Sequence, residues 1–364
     1  MLVAALVGIV GMTAAIGVVM ITSGSATAGN WKEQLAICAN SDRNLRVGCF
    51  EEVFYSAYDS KDVEAFNVDL ERIERDYPES SMDCHTGGHQ AGRRAASSGD
   101  YIRAVLGGVS KKNICGNGFI HGAFDEVGHK KASAATYLQL AKICDKVPEE
   151  VRIAGCVDGY GHSTWLNTRN LEKALDLCVL FDDSTSQKVC LSGIMMQMYR
   201  DDPFTGAPPV MTIDKADEIC GRVLLKTGDI EMEKTCYYEA AWPIGLEAGS
   251  VAENMLIGRP TNVESWMPPK ELIENTRRVY LVALNKCAQF PSWAEICREK
   301  IARSPIWRVS GDTKINAAIC SVFPPKYATL CVNEERIGKV ANRQDDVNQK
   351  QPETVKQPLD DTSP

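Results

Sequence analysis

Fourteen cysteines, most of them in close pairs along the chain, constrain this polypeptide more than any other feature. Six pairs are near neighbours: Cys38/Cys49, Cys144/Cys156, Cys178/Cys190, Cys220/Cys236, Cys287/Cys297 and Cys320/Cys331. Each flanks a short polar or proline-containing break, and stretches of helical period lie on either side, as in 170–178 and 190–199. The predicted unit is therefore helix, turn, helix. A disulfide from the end of one helix to the start of the next closes a loop of roughly 10 to 16 residues, for which the chain-entropy model gives about 3 kcal/mol. Adjacent pairing is the economical connectivity and leaves Cys84 and Cys115 for each other, across a short helix expected over 100–106. Other pairings stay combinatorially open at the level of sequence.

Self-similar units of roughly 30 to 45 residues predict an all-α array of disulfide-stapled hairpins, solenoid-like, in which each unit buries its neighbour's apolar face. A compact helical bundle is the alternative. With 364 residues, 44% of them hydrophobic, the chain can bury a sizeable core without needing disulfides for size alone. Such an even cysteine count, with no C-x-x-C, points to an exported protein and away from zinc-ribbon, thioredoxin-like or c-type haem chemistry. Residues 1–28 agree: an apolar run to Met20 is followed by Ala26-Thr27-Ala28, which fits a cleavage site. The same run, residues 1–21, is long enough to be kept as a membrane tether. Either outcome places the body outside the cytoplasm, in the periplasm or the extracellular space. A net charge of −8 without a strong basic cluster excludes nucleic acid as a partner.

Proline-rich stretches at 201–209 and 258–269 act as connectors. They set a histidine-bearing hairpin region, 29–200, apart from a histidine-free hairpin region, 210–340. The polar segment 341–364 is expected to be a disordered tail.

The residues after several cysteines repeat. Cys115 opens C-G-N-G-F-I-H, Cys156 opens C-V-D-G-Y-G-H, Cys190 opens C-L-S-G-I-M-M, and Cys84 opens the variant C-H-T-G-G-H-Q. Glycine always stands three residues after cysteine, where it permits close helix approach. All five histidines, His85, His89, His121, His129 and His162, fall between 85 and 162. On a helix, His85 and His89 share one face, and His121, Asp125 and His129 form a second stripe that drifts slowly around its axis. Two such faces converging across packed hairpins would make a metal site. Imidazole and carboxylate favour zinc, whereas a thioether from Met196 would favour copper, so zinc ranks first. Met195, Met196 and Met198 more commonly fill a core. Asp125, Asp158 and Tyr160 are the candidate catalytic groups, with Glu126 nearby, the carboxylates as bases for metal-bound water and Tyr160 as a donor. Arg93 and Arg94 either hold an anion or line a solvated face. The tryptophans Trp165, Trp242, Trp266, Trp293 and Trp307 are packing residues.

The combination C-H-x-x-x-H-x-x-x-R at Cys84 and C-x-x-G-F-x-H-G at Cys115 resembles a pattern of poorly characterised exported or membrane-tethered microbial proteins, over roughly Cys84 to His162. That resemblance implies an authentic motif and an envelope location, and no activity. The hairpin array also resembles tetratricopeptide-type solenoids in general form, without their W-x-x-L-G-x-x-Y spacing. Three functional expectations follow. The first is an exported scaffold that binds a metal through its histidines and docks a cell-envelope protein. The second is a metal-dependent hydrolase or oxidoreductase, and the third a purely structural repeat, in which every imidazole would bond to backbone.

Overall fold

A computed structural model describes residues 30–60, 63–77, 80–108, 114–147, 151–200, 202–245, 270–303, 320–321 and 323–331. Every regular element among them is helical. The first hairpin pairs α1 (Trp31–Asn40) with α2 (Arg43–Ser60). Next come α3 (Val63–Asp76), α4 (Ser81–Ala96), α5 (Tyr101–Gly108) and α6 (Gly118–His129). Three hairpins follow: α7 (Ala134–Cys144) with α8 (Asp158–Thr168), α9 (Leu171–Cys178) with α10 (Ser184–Met198), and α11 (Ala216–Thr227) with α12 (Ile230–Ala240). Last are α13 (Lys270–Lys286), α14 (Ala294–Arg303) and a short helix at 325–331.

The polar breaks stop and start these helices by direct capping. Ser133, Asn170, Asp183 and Asp229 each accept a backbone N–H of the first turn that follows, from Thr136, Lys173, Ser186 and Glu231. Gly228 ends α11 at φ +65°, a conformation glycine adopts without cost.

All fourteen cysteines are bonded, in the adjacent connectivity the spacing favours. Cys38 is joined to Cys49, Cys144 to Cys156, Cys178 to Cys190 and Cys220 to Cys236. Cys287 is joined to Cys297 and Cys320 to Cys331, which leaves the longer link from Cys84 to Cys115. Their Cα atoms lie 5.3 to 5.8 Å apart, within the ordinary range for a disulfide. The staples are not equally enclosed: Cys49 is half-buried on the flank of the core, whereas Cys297 is wholly inside it. No thiol remains as a nucleophile or a ligand.

The second helices of successive hairpins stack in one row, α2 on α4, then α6, α8, α10, α12 and α14. The core along this row is continuous from Trp31 to Cys331, as expected of stacked hairpins that cover one another. Within the first half the row is parallel and unusually close. A Cβ on Gly118 would stand 2.2 Å from the His85 carbonyl oxygen, and one on Gly122 would stand 2.0 Å from that of His89. The two helices therefore touch through backbone at these points, one turn apart. For Gly118 this is the role expected of glycine at the third position after cysteine, and Gly122 repeats it one turn on.

The connector at 202–209 is folded against the array. Asp202 caps the N–H groups of Phe204 and Thr205, and the N–H groups of Val210 and Met211 both bond to the Met198 carbonyl. The segments 1–28, 258–269 and 341–364, expected to be leader or tether, connector and tail, lie outside the described residues, as do Trp266 and Trp307. No helix among the described residues is long and apolar enough to cross a membrane.

Candidate metal centre

The close row determines what the histidines can do. His85 and His89 lie one turn apart on α4, and Gly122 on α6 lets the helix bearing His121 press against the backbone of His89. Ring centroids are 4.7 Å apart for His85 and His89, 5.6 Å for His89 and His121, and 5.9 Å for His85 and His121. One ring nitrogen from each of the three lies within 4.8 Å of the others.

Each of these rings is fixed by its other nitrogen. His85 Nδ1 donates to the Cys115 carbonyl at 2.8 Å. That carbonyl belongs to a 3₁₀ turn, Ile114–Asn117, in which Cys115 and Asn117 are both left-handed, at φ +46° and +58°. Non-glycine residues seldom take that conformation, and the turn places its backbone strain where it aims a ligand partner. His121 Nε2 donates to the Ala154 carbonyl at 3.0 Å, from the π-helical turn Arg152–Val157 that leads into α8. Turns of this kind cluster at functional sites, because they free carbonyls from the helix ladder. His89 Nδ1 donates to Asp125 Oδ2 at 3.0 Å, and its Nε2 is buried without a hydrogen-bond partner. With these bonds in place, the lone pairs fall on Nε2 of His85, Nε2 of His89 and Nδ1 of His121. An imidazole tied to a carbonyl or carboxylate on one side and bare on the other is the usual state of a metal-ligating histidine.

Burial drives the pKa of all three rings down to about 3, against partial opposition from the Cys115 carbonyl at His85, Asp125 at His89 and Asp158 at His121. They are neutral at physiological pH, the form a metal requires. His162 behaves oppositely. Burial lowers its pKa, but Asp125 and Asp158 on either side outweigh burial and push it up to about 9. Its Nδ1 lies 3.7 Å from Asp125 Oδ1 and its Nε2 3.5 Å from Asp158 Oδ2. For both aspartates burial is the first influence and acts upward, yet the facing histidines hold each carboxyl below its usual range. Two carboxylates and one imidazolium beside three neutral rings leave the cluster with one net negative charge, which suits a cation.

The other expected site residues lie elsewhere. His129 is two turns beyond His121, about 12 Å along the axis, and is exposed. It stacks on Phe204 with centroids 3.9 Å apart, while the Arg93 guanidinium lies 5.7 Å from the same ring. The stripe of His121, Asp125 and His129 thus contributes only its first two members, because eight residues of helix carry the third out of reach. Arg94 pairs with Glu52 and covers Tyr55, on a solvated face. Glu126 pairs with Lys130. Tyr160 packs among Phe124, Tyr137 and Phe181, and its hydroxyl donates to the Leu177 carbonyl at 3.3 Å, so its phenol is a core group. Met195 is fully buried with its sulfur 3.8 Å from Cys236 Sγ, as a core methionine would be.

The cysteines belong to the architecture and not to the centre, since every sulfur is tied up in a staple. Cys49 closes the α1–α2 hairpin with Cys38, and Cys297 closes the α13–α14 hairpin with Cys287. Neither hairpin carries a histidine, so Cys49 and Cys297 hold helices together and contribute nothing to the cluster. Cys115 reaches the histidine cluster, and it does so through its carbonyl. The sequence reading missed the carbonyls of Cys115 and Ala154, which no residue type announces. It also missed the linking role of Asp125 between His89 and His162.

No family model matches the chain, and neither the curated proteins nor the solved structures contain a match. Site geometry must therefore carry the functional reading.

Proposed function

We propose that this protein is an exported, disulfide-stapled helical scaffold that binds one divalent metal ion, zinc before copper, through His85, His89 and His121. The observation that carries this reading is the set of three converging imidazoles, each anchored by one nitrogen with the other left bare. An ordinary structural histidine has no reason to leave a buried nitrogen facing neither a hydrogen-bond partner nor a counter-charge, since a buried unsatisfied polar atom costs about 1–3 kcal/mol. His89 Nε2 is in that condition, which counts against a purely structural role. Nitrogen donors with flanking carboxylates suit zinc. Seven disulfides support an oxidising compartment. In this reading the later hairpins, which keep the staples and lack histidine, supply the surface that docks a cell-envelope protein.

The test is metal content. Natively purified protein should carry close to one equivalent of metal, and a His85→Ala/His89→Ala double variant close to none. Equal, near-zero metal in both would sink the proposal. A second reading, a metal-dependent hydrolase or oxidoreductase using Asp125 or Asp158, draws on the same trio, because catalytic zinc has three protein ligands. It requires metal-dependent turnover that the double variant loses.

A further inference from the structure

From the ring geometry we infer that His162 is a positioning residue rather than a fourth ligand, so that the metal keeps one coordination position for an exchangeable water or small anion. The inference rests on the metal reading above and extends it from a closed structural site to an open one.

Two imidazoles on the same zinc ion have their ring centroids about 5 Å apart, given Zn–N bonds of roughly 2 Å and tetrahedral angles. The trio spans 4.7 to 5.9 Å. His162 lies 5.2 Å from His121 but 6.5 Å from His89, at the far edge of the cluster. Both of its nitrogens face carboxylates, one on α6 and one on its own helix α8, at charge-pair distance without a hydrogen bond. Those carboxylates are in turn directed towards the ligands: Asp125 accepts from His89, and Asp158 Oδ2 stands 3.5 Å from His121 Nε2. A chain His89–Asp125–His162–Asp158–His121 results, with His162 at its centre and a ligand at each end. Outer partners of this kind fix ring orientation and typically contribute 10–100-fold to metal affinity.

With His162 placed between Asp125 and Asp158 and furthest from His89, the protein supplies three converging nitrogens where zinc takes four ligands. His85 is the half-buried residue of the cluster, whereas His121 and His162 are enclosed, which puts the approach to the metal on the His85 side. The exposed Arg200 acts electrostatically on His85, His89 and Asp158, and its positive charge favours an anion at the metal.

The probe is azide added to the full-length protein loaded with cobalt(II), whose visible bands report coordination. Azide is expected to shift those bands and saturate at one anion per metal. His162→Gln should still bind one cobalt, with affinity weakened about 10–100-fold, and should still respond to azide. A wild-type cobalt spectrum that ignores azide overturns the inference. So does X-ray absorption showing four imidazoles in the wild type and three in a folded His162→Gln variant. Wild-type protein that takes up no cobalt or zinc at all overturns the metal reading itself, and the two failures are thereby distinguishable.

Discussion

The early and late hairpins carry the same staple and place different residues beside it. Three positions after the staple cysteine stand Gly118, Gly159 and Gly193 in α6, α8 and α10, but Glu239 in α12 and Lys300 in α14. In α6 and α10 the missing side chain lets backbones touch, in α8 it leaves room for the rings of Phe124 and His121, and the residues one turn onward, His121 and His162, come into ring contact at 5.2 Å. In the late helices Glu239 and Lys300 reach across the same gap and form a buried ion pair at 2.9 Å. The Lys300 ammonium also lies 4.2 Å from the Tyr238 ring and 4.6 Å from that of Trp242, which stands six residues after its cysteine, as histidine does in the early repeats. At the junction, Ser192 donates to the Glu239 carboxylate. A single column of positions thus decides what each interface can contain. Glycine there draws helices close enough for side chains of three helices to share one centre, and a charged pair there makes only a clasp.

Acid should separate the halves most strongly. In metal-free protein, His85, His89 and His121 have folded pKa values near 3, below the usual 6.5. Between those limits the unfolded chain binds protons that the folded chain does not, so stability falls as pH drops. His162 acts in the opposite sense. With its folded pKa up at about 9, the folded chain holds the extra proton between 6.5 and 9, and stability declines as pH rises through that window. Chelator-treated protein should therefore be most stable near neutrality. Hydrogen exchange at pH 5 should show α4, α6 and α8 opening before α12 and α14. Uniform loss of protection along the row would break the contrast.

Removing one member of the late clasp should cost somewhat less. Lys300→Ala leaves Glu239 buried and uncompensated, for which roughly 3–5 kcal/mol is expected. The double variant Lys300→Met/Glu239→Leu should recover most of that loss, since well-packed apolar residues often replace a buried pair at little or no cost. Urea denaturation with disulfides intact measures both. A double variant no better than the single would show that Glu239 does more than answer Lys300.

The fold was largely legible in the sequence because its decisive contacts are local. Each staple joins cysteines 10 to 16 residues apart, except Cys84–Cys115, and a short polar break between two helical stretches is visible in the letters. The site was legible in part. His85 and His89 share a face through helix periodicity alone, but their convergence with His121 depends on which helices neighbour each other in the row. The glycine after each cysteine hinted at that without identifying the pairs. His129 was misplaced because a stripe of period four was extended one step too far along the axis. Tyr160 is a candidate donor by its nearness to His162 in sequence, whereas its ring faces three other aromatics. The carbonyls that orient His85 and His121 come from irregular turns, which composition does not encode.

The smallest expected effects test the glycine column directly. A Cβ at Gly193 would stand 2.1 Å from the Asp158 carbonyl oxygen and 3.0 Å from the backbone of both Gly161 and His162. Every one of these neighbours is main chain and can yield only by moving a helix. Gly193→Ala should cost about 1–3 kcal/mol through overpacking, and it should weaken metal binding as α8 shifts with His162 and Asp158. Gly221, inside α11 in the histidine-free half, has nothing within 4 Å of the same position. There alanine meets open space, and its better helix propensity should stabilise the protein by about 0.5–1 kcal/mol with metal binding unchanged. Chemical denaturation and metal titration of the two variants together decide the matter. If both alanines were equally tolerated, close backbone contact would not be what distinguishes the early helices, and the convergence of the histidines would need another cause.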